Sequence, residues 1–311
     1  MYPLIDLGKI KIPSYVILII IGMIGYTITT INLLEKKEKY KMKTTNKLLI
    51  LSIFSFIILY FTAFIMNSLF HSIEKGEIVI GGITWLGGVI LTFPITIYLI
   101  HKYIPELRGK AINTFSLMIP GIVLAHGFGR IGCFLGGCCF GEVTNLGLGV
   151  VFPEGSPAAK MYPAPDGNSL SIIPTQLYEA IFEFVLFIIM IATLKKNKYK
   201  NIEIYGIAYG VFRFILEFFR GDDRGTTGLY LSPSQLMSII LIIIALLIIL
   251  YKKGKIFKKI TLKIESKMND NKQKIDDELI NKLEECFELV KKGILTEDEY
   301  QKIKEKIIND I

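Results

Sequence analysis

An arginine inside a lipid-spanning segment is costly and calls for a purpose. Arg130 sits at the end of an apolar run, in the stretch His126-Gly127-Phe128-Gly129-Arg130-Ile131-Gly132-Cys133-Phe134-Leu135-Gly136-Gly137-Cys138-Cys139-Phe140-Gly141-Glu142. His126 lies four residues earlier, so on a helix the two share a face. Next to a buried cation, a histidine can handle protons or serve as a structural hydrogen-bonding group. Six glycines in this stretch permit close helix contact or a turn. A second cluster is Arg213, Glu217 and Arg220, at i, i+4 and i+7, on one face of a continuous helix. Two guanidinium groups against one carboxylate leave net positive charge. Guanidinium grips phosphate with two parallel N–H bonds and keeps its proton in a dry site. A structural ion-pair network locking helices together is the alternative. A third cluster, Pro174-Thr175-Gln176-Leu177-Tyr178-Glu179, opens another apolar run. Capping and the helix dipole explain its Pro and acids, yet Gln176, Tyr178 and Glu179 could also face a polar cavity.

Helices in a bilayer must position these groups. The chain has 311 residues, of which 51% are hydrophobic, and a mean hydropathy of +0.48, which excludes an ordinary soluble domain. The fold expected is all-α and polytopic, with seven membrane spans near 14–34, 48–70, 79–100, 111–133, 174–194, 203–220 and 232–251. The net charge of +8 follows the connections. The first (Lys36 to Lys47), third (Lys102, Arg108, Lys110) and fifth (Lys195 to Lys200) are basic, as is the stretch after the seventh span (Lys252 to Lys259). Even connections are not, so the N-terminus is outside and the C-terminus cytoplasmic. Basic residues alternating with spans argue against nucleic acid as a partner. All the clusters then lie near the outer side. A cationic pocket there suits the head group of an anionic phospholipid.

The fourth connection, about 142–173, is rich in Gly and Pro and long enough to be functional. Three of the four cysteines fall within Cys133–Cys139. With no second cluster to complete a four-thiolate set, they read as small packing residues, and neither metal nor cofactor is expected. Three segments follow from these patterns: a membrane domain over 1–260, a charged linker over 261–276 and a helical hairpin over 277–311. In the hairpin Leu279, Leu283, Phe287 and Val290 share a face, Gly293 stops the first helix, and Thr296 with Glu299 makes a capping box.

Four blocks resemble the prolipoprotein diacylglyceryl transferase family, in that family's order. They are Leu7-Gly8-Lys9-Ile10-Lys11-Ile12-Pro13-Ser14-Tyr15, the stretch around Arg130 (in the family's Gly-Cys-Cys variant), Pro174 to Ala180, and Arg213-Phe214-Ile215-Leu216-Glu217-Phe218-Phe219-Arg220. The resemblance covers about residues 5 to 252. It implies an enzyme of the bacterial plasma membrane with its site toward the outer leaflet. Such an enzyme moves the diacylglyceryl group of phosphatidylglycerol to the lipobox cysteine of a secreted precursor and releases glycerol phosphate. By the same resemblance Arg130, Arg213 and Arg220 hold the phosphate, Glu217 orients an arginine, and Tyr15, Gln176, Tyr178, Glu179, Cys133 and Cys138 line the site. This chain departs from the family at Leu86 and Ile173, where histidines are common, and at Cys133 and Cys138, where an asparagine and a carboxylate are common. With that base missing, His126 is expected to deprotonate the thiol, helped by Arg130. The alternative is a non-catalytic paralogue that binds or moves lipid with the same pocket. The C-terminal hairpin resembles SHOCT modules, which implies oligomerisation or docking; a solvated hairpin without a partner is the other reading. The enzyme reading requires the arginines to converge on one site rather than scatter among separate acidic neighbours.

Overall fold

The computed structural model describes the backbone of residues 4–6 and 11–309. Side-chain surroundings are described for 12–254 and, apart from 283, 286 and 303, for 281–305. Leu7 to Ile10 of the opening motif, and the side chains of Leu279, Leu283 and Cys286, lie outside the described residues. The chain divides into two compact units, Met1–Ile248 and Ile249–Ile311.

The first unit begins with a short hairpin absent from the sequence expectation. Strand β1 (Leu4–Asp6) pairs antiparallel with β2 (Lys11–Pro13), Ile5 opposite Ile12. Helices then follow: α1 (Ser14–Ile31), α2 (Met42–Lys75), α3 (Trp85–Tyr103), α4 (Ala111–Gly136), α5 (Pro157–Met161), α6 (Thr175–Ala192), α7 (Leu194–Asn197), α8 (Asn201–Leu216) and α9 (Pro233–Lys291). Among the described residues six stretches are long and apolar enough to cross a membrane: Ser14–Lys37, Met42–Lys75, Trp85–Tyr103, Ala111–Gly136, Thr175–Ala192 and Pro233–Gly254. The protein is therefore an all-α, multi-pass membrane protein. The run expected over 203–220 behaves differently. Its helix α8 has 16 residues, about 24 Å at the α-helical rise, short of a ~30 Å hydrocarbon core.

Helix α4 is the centre of the bundle. Of its most apolar stretch 61% is buried, against 22–39% in the other five. Lipid supplies no hydrophobic drive between helices, so close backbone approach decides contact. At Gly22 of α1 an added Cβ would stand 2.9 Å from the Ala125 carbonyl oxygen, and at Gly121 of α4 it would stand 2.9 Å from the Tyr26 ring. Helices α2 and α3 meet the same way, with Gly88 against Ala63.

The connection between α4 and α6 is a folded cap rather than loose loop. Phe140, Phe152, Ala158 and Ile172 form its own small apolar core. Val150 and Ile172 exchange backbone hydrogen bonds of 2.9 and 3.0 Å.

In the second unit the backbone is helical across 261–276 and α9 runs to Lys291. Gly293 is left-handed at φ 68°, and the Ile294 amide donates back to the Leu289 carbonyl at 3.0 Å, a glycine-terminated helix end. The Thr296 amide donates to Glu299 at 3.0 Å and the Glu299 amide to Thr296 Oγ1 at 3.4 Å. The expected capping box is thus present, and it opens α10 (Glu297–Asn309). Phe287 and Tyr300 bring their rings to 5.8 Å across the turn.

Candidate functional site

Four elements deliver the polar groups to one place: α4 with His126 and Arg130, α6 with Gln176, Glu179 and Glu183, α8 with Tyr209 and Arg213, and the segment just after α8. All these side chains are at least nine-tenths buried, and Asp222, which follows, is mostly buried, its side chain 18% exposed. Helix α8 stops at Leu216, where a 3-10 turn carries Glu217–Phe219 and Arg220 becomes extended at ψ 137°. Arg213, Glu217 and Arg220 therefore do not share one helical face through 220, which corrects the periodic expectation. The reason is pairing. Arg220 forms a backbone bridge with Gly141 of the signature stretch, and the Glu142 amide donates to the Phe219 carbonyl at 3.0 Å.

The same stretch is clamped to the start of α6. Gln176 Nε2 donates to the Cys138 carbonyl at 2.7 Å, and Thr175 Oγ1 to the Cys139 carbonyl at 3.0 Å. Gln176, expected in the cavity, thus holds the loop that builds it. Tyr178, also expected there, is half-buried, and its amide donates to the Pro174 carbonyl at 3.3 Å. Tyr15 packs on Gly132, whose added Cβ would stand 2.7 Å from the Tyr15 ring, within electrostatic reach of Arg130 and of three cysteines.

Each of the four arginines gathered here has a carboxylate partner. Arg130 Nη2 lies 2.9 Å from Glu179 Oε2, Arg213 Nη2 2.7 Å from Glu217 Oε2, and Arg224 Nη2 3.1 Å from Asp222 Oδ2. Arg220 is bidentate on Asp222, with Nε and Nη2 donating at 2.8 and 2.7 Å. Counting Glu183, the acids match these guanidinium groups in number, so the expected surplus of positive charge is not there. The groups nevertheless converge, since Glu179 lies within electrostatic reach of Arg130, Arg213, Arg220 and His126. Donors are also left over. Arg130 Nε, Arg213 Nη1 and Arg220 Nη1 are buried without a hydrogen-bond partner among the described residues. Buried guanidinium N–H groups of this kind are what an incoming phosphoryl oxygen would satisfy.

His126 is enclosed. Its Nδ1 is 2.7 Å from Glu183 Oε1 and its Nε2 3.8 Å from Glu179 Oε1. One face stacks on Trp85 at 4.3 Å and the edge meets Tyr209. With 7% of the residue exposed, the imidazole is buried with one nitrogen toward each of these two carboxylates. Tyr209 donates to Glu179 Oε1 at 2.8 Å and stacks on Tyr205 at 5.0 Å. Tyr205 in turn lines an apolar cavity of about 300 Å³ with Phe93, Ile97 and Leu241. Arg213 and Glu217 are pinned from α9 and its approach, by Ser234 and Ser232 at 3.0 and 2.9 Å. Leu86 is buried in the apolar core.

Asp222 lies outside the spans. Burial pushes its carboxyl up to about 6, and Arg220 only partly opposes this. The sequence reading passed over Glu183, Tyr209, Asp222 and Trp85. Glu183 carried a signal, four residues after Glu179 on the same face; the others had none beyond proximity to an arginine or a glycine pair.

A family model described as prolipoprotein diacylglyceryl transferase matches residues 3–251. The phosphatidylglycerol–prolipoprotein diacylglyceryl transferase of Clostridium tetani is 33% identical over 252 residues, covering 79% of this chain and 95% of that protein. The second such enzyme of Clostridium perfringens is 40% identical over 138 residues, 44% of this chain and 50% of its own length. The enzyme of Chlorobaculum tepidum is 33% identical over 181 residues, 57% of each chain. The matched span contains the whole arginine cluster and its clamps, and on that span the chain belongs to the prolipoprotein diacylglyceryl transferase family.

Proposed function

We propose that this protein transfers the diacylglyceryl group of phosphatidylglycerol to the lipobox cysteine thiol of a prolipoprotein, releasing glycerol phosphate. The observation that carries this reading is the set of unpartnered buried donors on Arg130, Arg213 and Arg220, gathered around Glu179. In the reaction the thiol sulfur attacks the glyceryl carbon next to the phosphodiester. The carbon–oxygen bond breaks, and its electron pair leaves on the phosphate oxygen. Guanidinium donors aimed at that oxygen stabilise the charge it gains. Glu217 fixes Arg213, and Gln176 fixes the Cys138–Cys139 turn. His126 acts through Glu179 as a positioning residue, and this pair takes the thiol proton. The apolar cavity beside Tyr205 gives room to an acyl chain.

The site opens toward the outer leaflet of the bacterial plasma membrane in this proposal, with α8 counted as a seventh crossing, the N-terminus outside and the C-terminus cytoplasmic. The alternation of basic connections supports that orientation. The membrane domain of 1–260 carries the reaction. The linker of 261–276 and the SHOCT-like hairpin of 277–311 serve self-association or docking. The test is to incubate purified protein with phosphatidylglycerol and a lipobox peptide. The expected result is glycerol phosphate release with a matching gain in peptide mass. Lipid binding without either product would return the chain to the reading of a lipid-binding paralogue.

A further inference from the structure

The three cysteines of the signature stretch do not pack as separate small residues. Their Sγ atoms all lie within 4.8 Å of one another, and all three are free thiols. Cys133 is in the last turn of α4. Cys138 is tied back to it, its amide donating to the Cys133 carbonyl at 3.1 Å. Adjacent side chains in an extended strand point to opposite faces, so Cys138 and Cys139 need a turned backbone to face one partner. That backbone is present: Gly137 and Cys139 are both left-handed, at φ 67° and 62°. A non-glycine residue there costs on the order of 1 kcal/mol or more and persists where its surroundings impose it. Here the imposing contacts are the bonds from Gln176 and Thr175 to the two cysteine carbonyls.

We propose that Cys133, Cys138 and Cys139 form a three-thiolate site for Zn²⁺, whose fourth position receives the lipobox thiol. Zinc binds thiolate at ~2.3 Å, which sets sulfurs about 3.8 Å apart in a tetrahedron. The present spacing therefore needs a contraction of about 1 Å or less, within reach of side-chain rotation. Three protein ligands and one open position is the arrangement of a catalytic rather than a structural zinc. Charge supports the same reading. Zinc with three thiolates carries one negative charge, and a fourth thiolate makes two. Arg130 Nη1 stands 3.7 Å from Cys133 Sγ to offset it, and Cys139 lies within electrostatic reach of Arg130 and Arg220. The proposal gives this chain a route to a nucleophilic thiol without a free histidine. The incoming thiol exchanges its proton for the metal, and the proton passes to the Glu179–His126 pair. The metal-held sulfur then forms the bond to the glyceryl carbon as glycerol phosphate leaves. Zinc changes no oxidation state. The role of the fourth position rests on the transferase reading; the metal site does not.

The test uses the full chain carrying Cys286→Ser, stripped of metal and reloaded. Bound zinc is measured by elemental analysis, and Cd²⁺ serves as a probe through its thiolate charge-transfer absorption. About one ion per chain is expected, with the three thiols protected from maleimide when zinc is present. Cys133→Ser, Cys138→Ser and Cys139→Ser should each weaken binding by at least about tenfold. Cys138 is half-buried, so Cys138→Ser with unchanged elution and melting is the decisive variant. Absence of the cadmium absorption, zinc retained by the triple serine variant, or a native disulfide among the three would overturn the site. On the same preparations, transfer lost on stripping and restored by zinc supports the fourth-position role; equal transfer by the stripped protein refutes that role. Zinc bound as expected with no transfer at all would instead sink the transferase reading and leave the metal site standing.

Discussion

Glu179 is where the interactions of the site cross, and Glu179→Gln tests them with almost no change in shape. The glutamine keeps an oxygen for the Tyr209 hydroxyl, now 2.8 Å away, and removes the charge opposite Arg130 at 2.9 Å. At an effective dielectric of ~20 that attraction is about 6 kcal/mol. Relief of the carboxylate's own burial cost offsets part of it, leaving a net loss of ~3–5 kcal/mol for breaking a buried pair from one side. For a unit of this size the melting temperature should fall by roughly 6–20 °C. The freed Arg130 no longer has a fixed direction, so transfer should drop by about 10²–10³-fold. Thermal unfolding in detergent and the glycerol phosphate assay are run on the same preparation. Adding Arg130→Met should restore much of the melting temperature by removing the stranded cation, while leaving transfer low. If Glu179→Gln melts within about 2 °C of the parent and transfers within about threefold, then Glu179 does not hold Arg130 and the account of the site is wrong.

Arg130→Ala should abolish transfer, while His126→Ala, acting one residue removed, should keep a measurable rate; equal loss in both would give His126 a direct role. Asp222→Asn should remove a pH dependence. The parent carboxyl, at about 6 against an ordinary 3.8, releases Arg220 as pH falls through 6, so KM for phosphatidylglycerol should fall between pH 7 and 5 in the parent and stay flat in the variant. The stability sign is that of a raised carboxyl: its favourable contribution is complete below 3.8 and is lost as pH rises through 6. Gly141→Ala should lower transfer by about 10²-fold, because its Cβ would stand 2.5 Å from the Phe219 carbonyl and 2.7 Å from that of Ile173, pushing Arg220 off the signature stretch; a full rate in a folded variant would contradict this. Deleting residues after Asp276 should leave transfer at the parental rate in membranes, and its loss would move function to the hairpin.

The sequence by itself determined the class of fold and singled out the buried cations that the fold gathers. Apolar runs longer than a bilayer core have no other use, and a buried guanidinium is too costly to be incidental. So Arg130, Arg213, Arg220 and Glu217 could be found from type and spacing alone, as could the capping box at Thr296. Tertiary structure decided what those periods do not encode. Helical spacing placed Arg220 on the face of Arg213, but a backbone bridge to Gly141, 79 positions earlier in the chain, ends the helix first. Spacing also left Glu179 as a capping residue and the cysteines as packing, because a partner on another helix leaves no mark in local pattern. Pairing Glu183 with His126, Asp222 with Arg220 and three thiols with one another required the chain to fold back on α4. Those contacts turned an expected positive pocket into a charge-balanced one whose arginines keep buried N–H groups without a hydrogen-bond partner among the described residues.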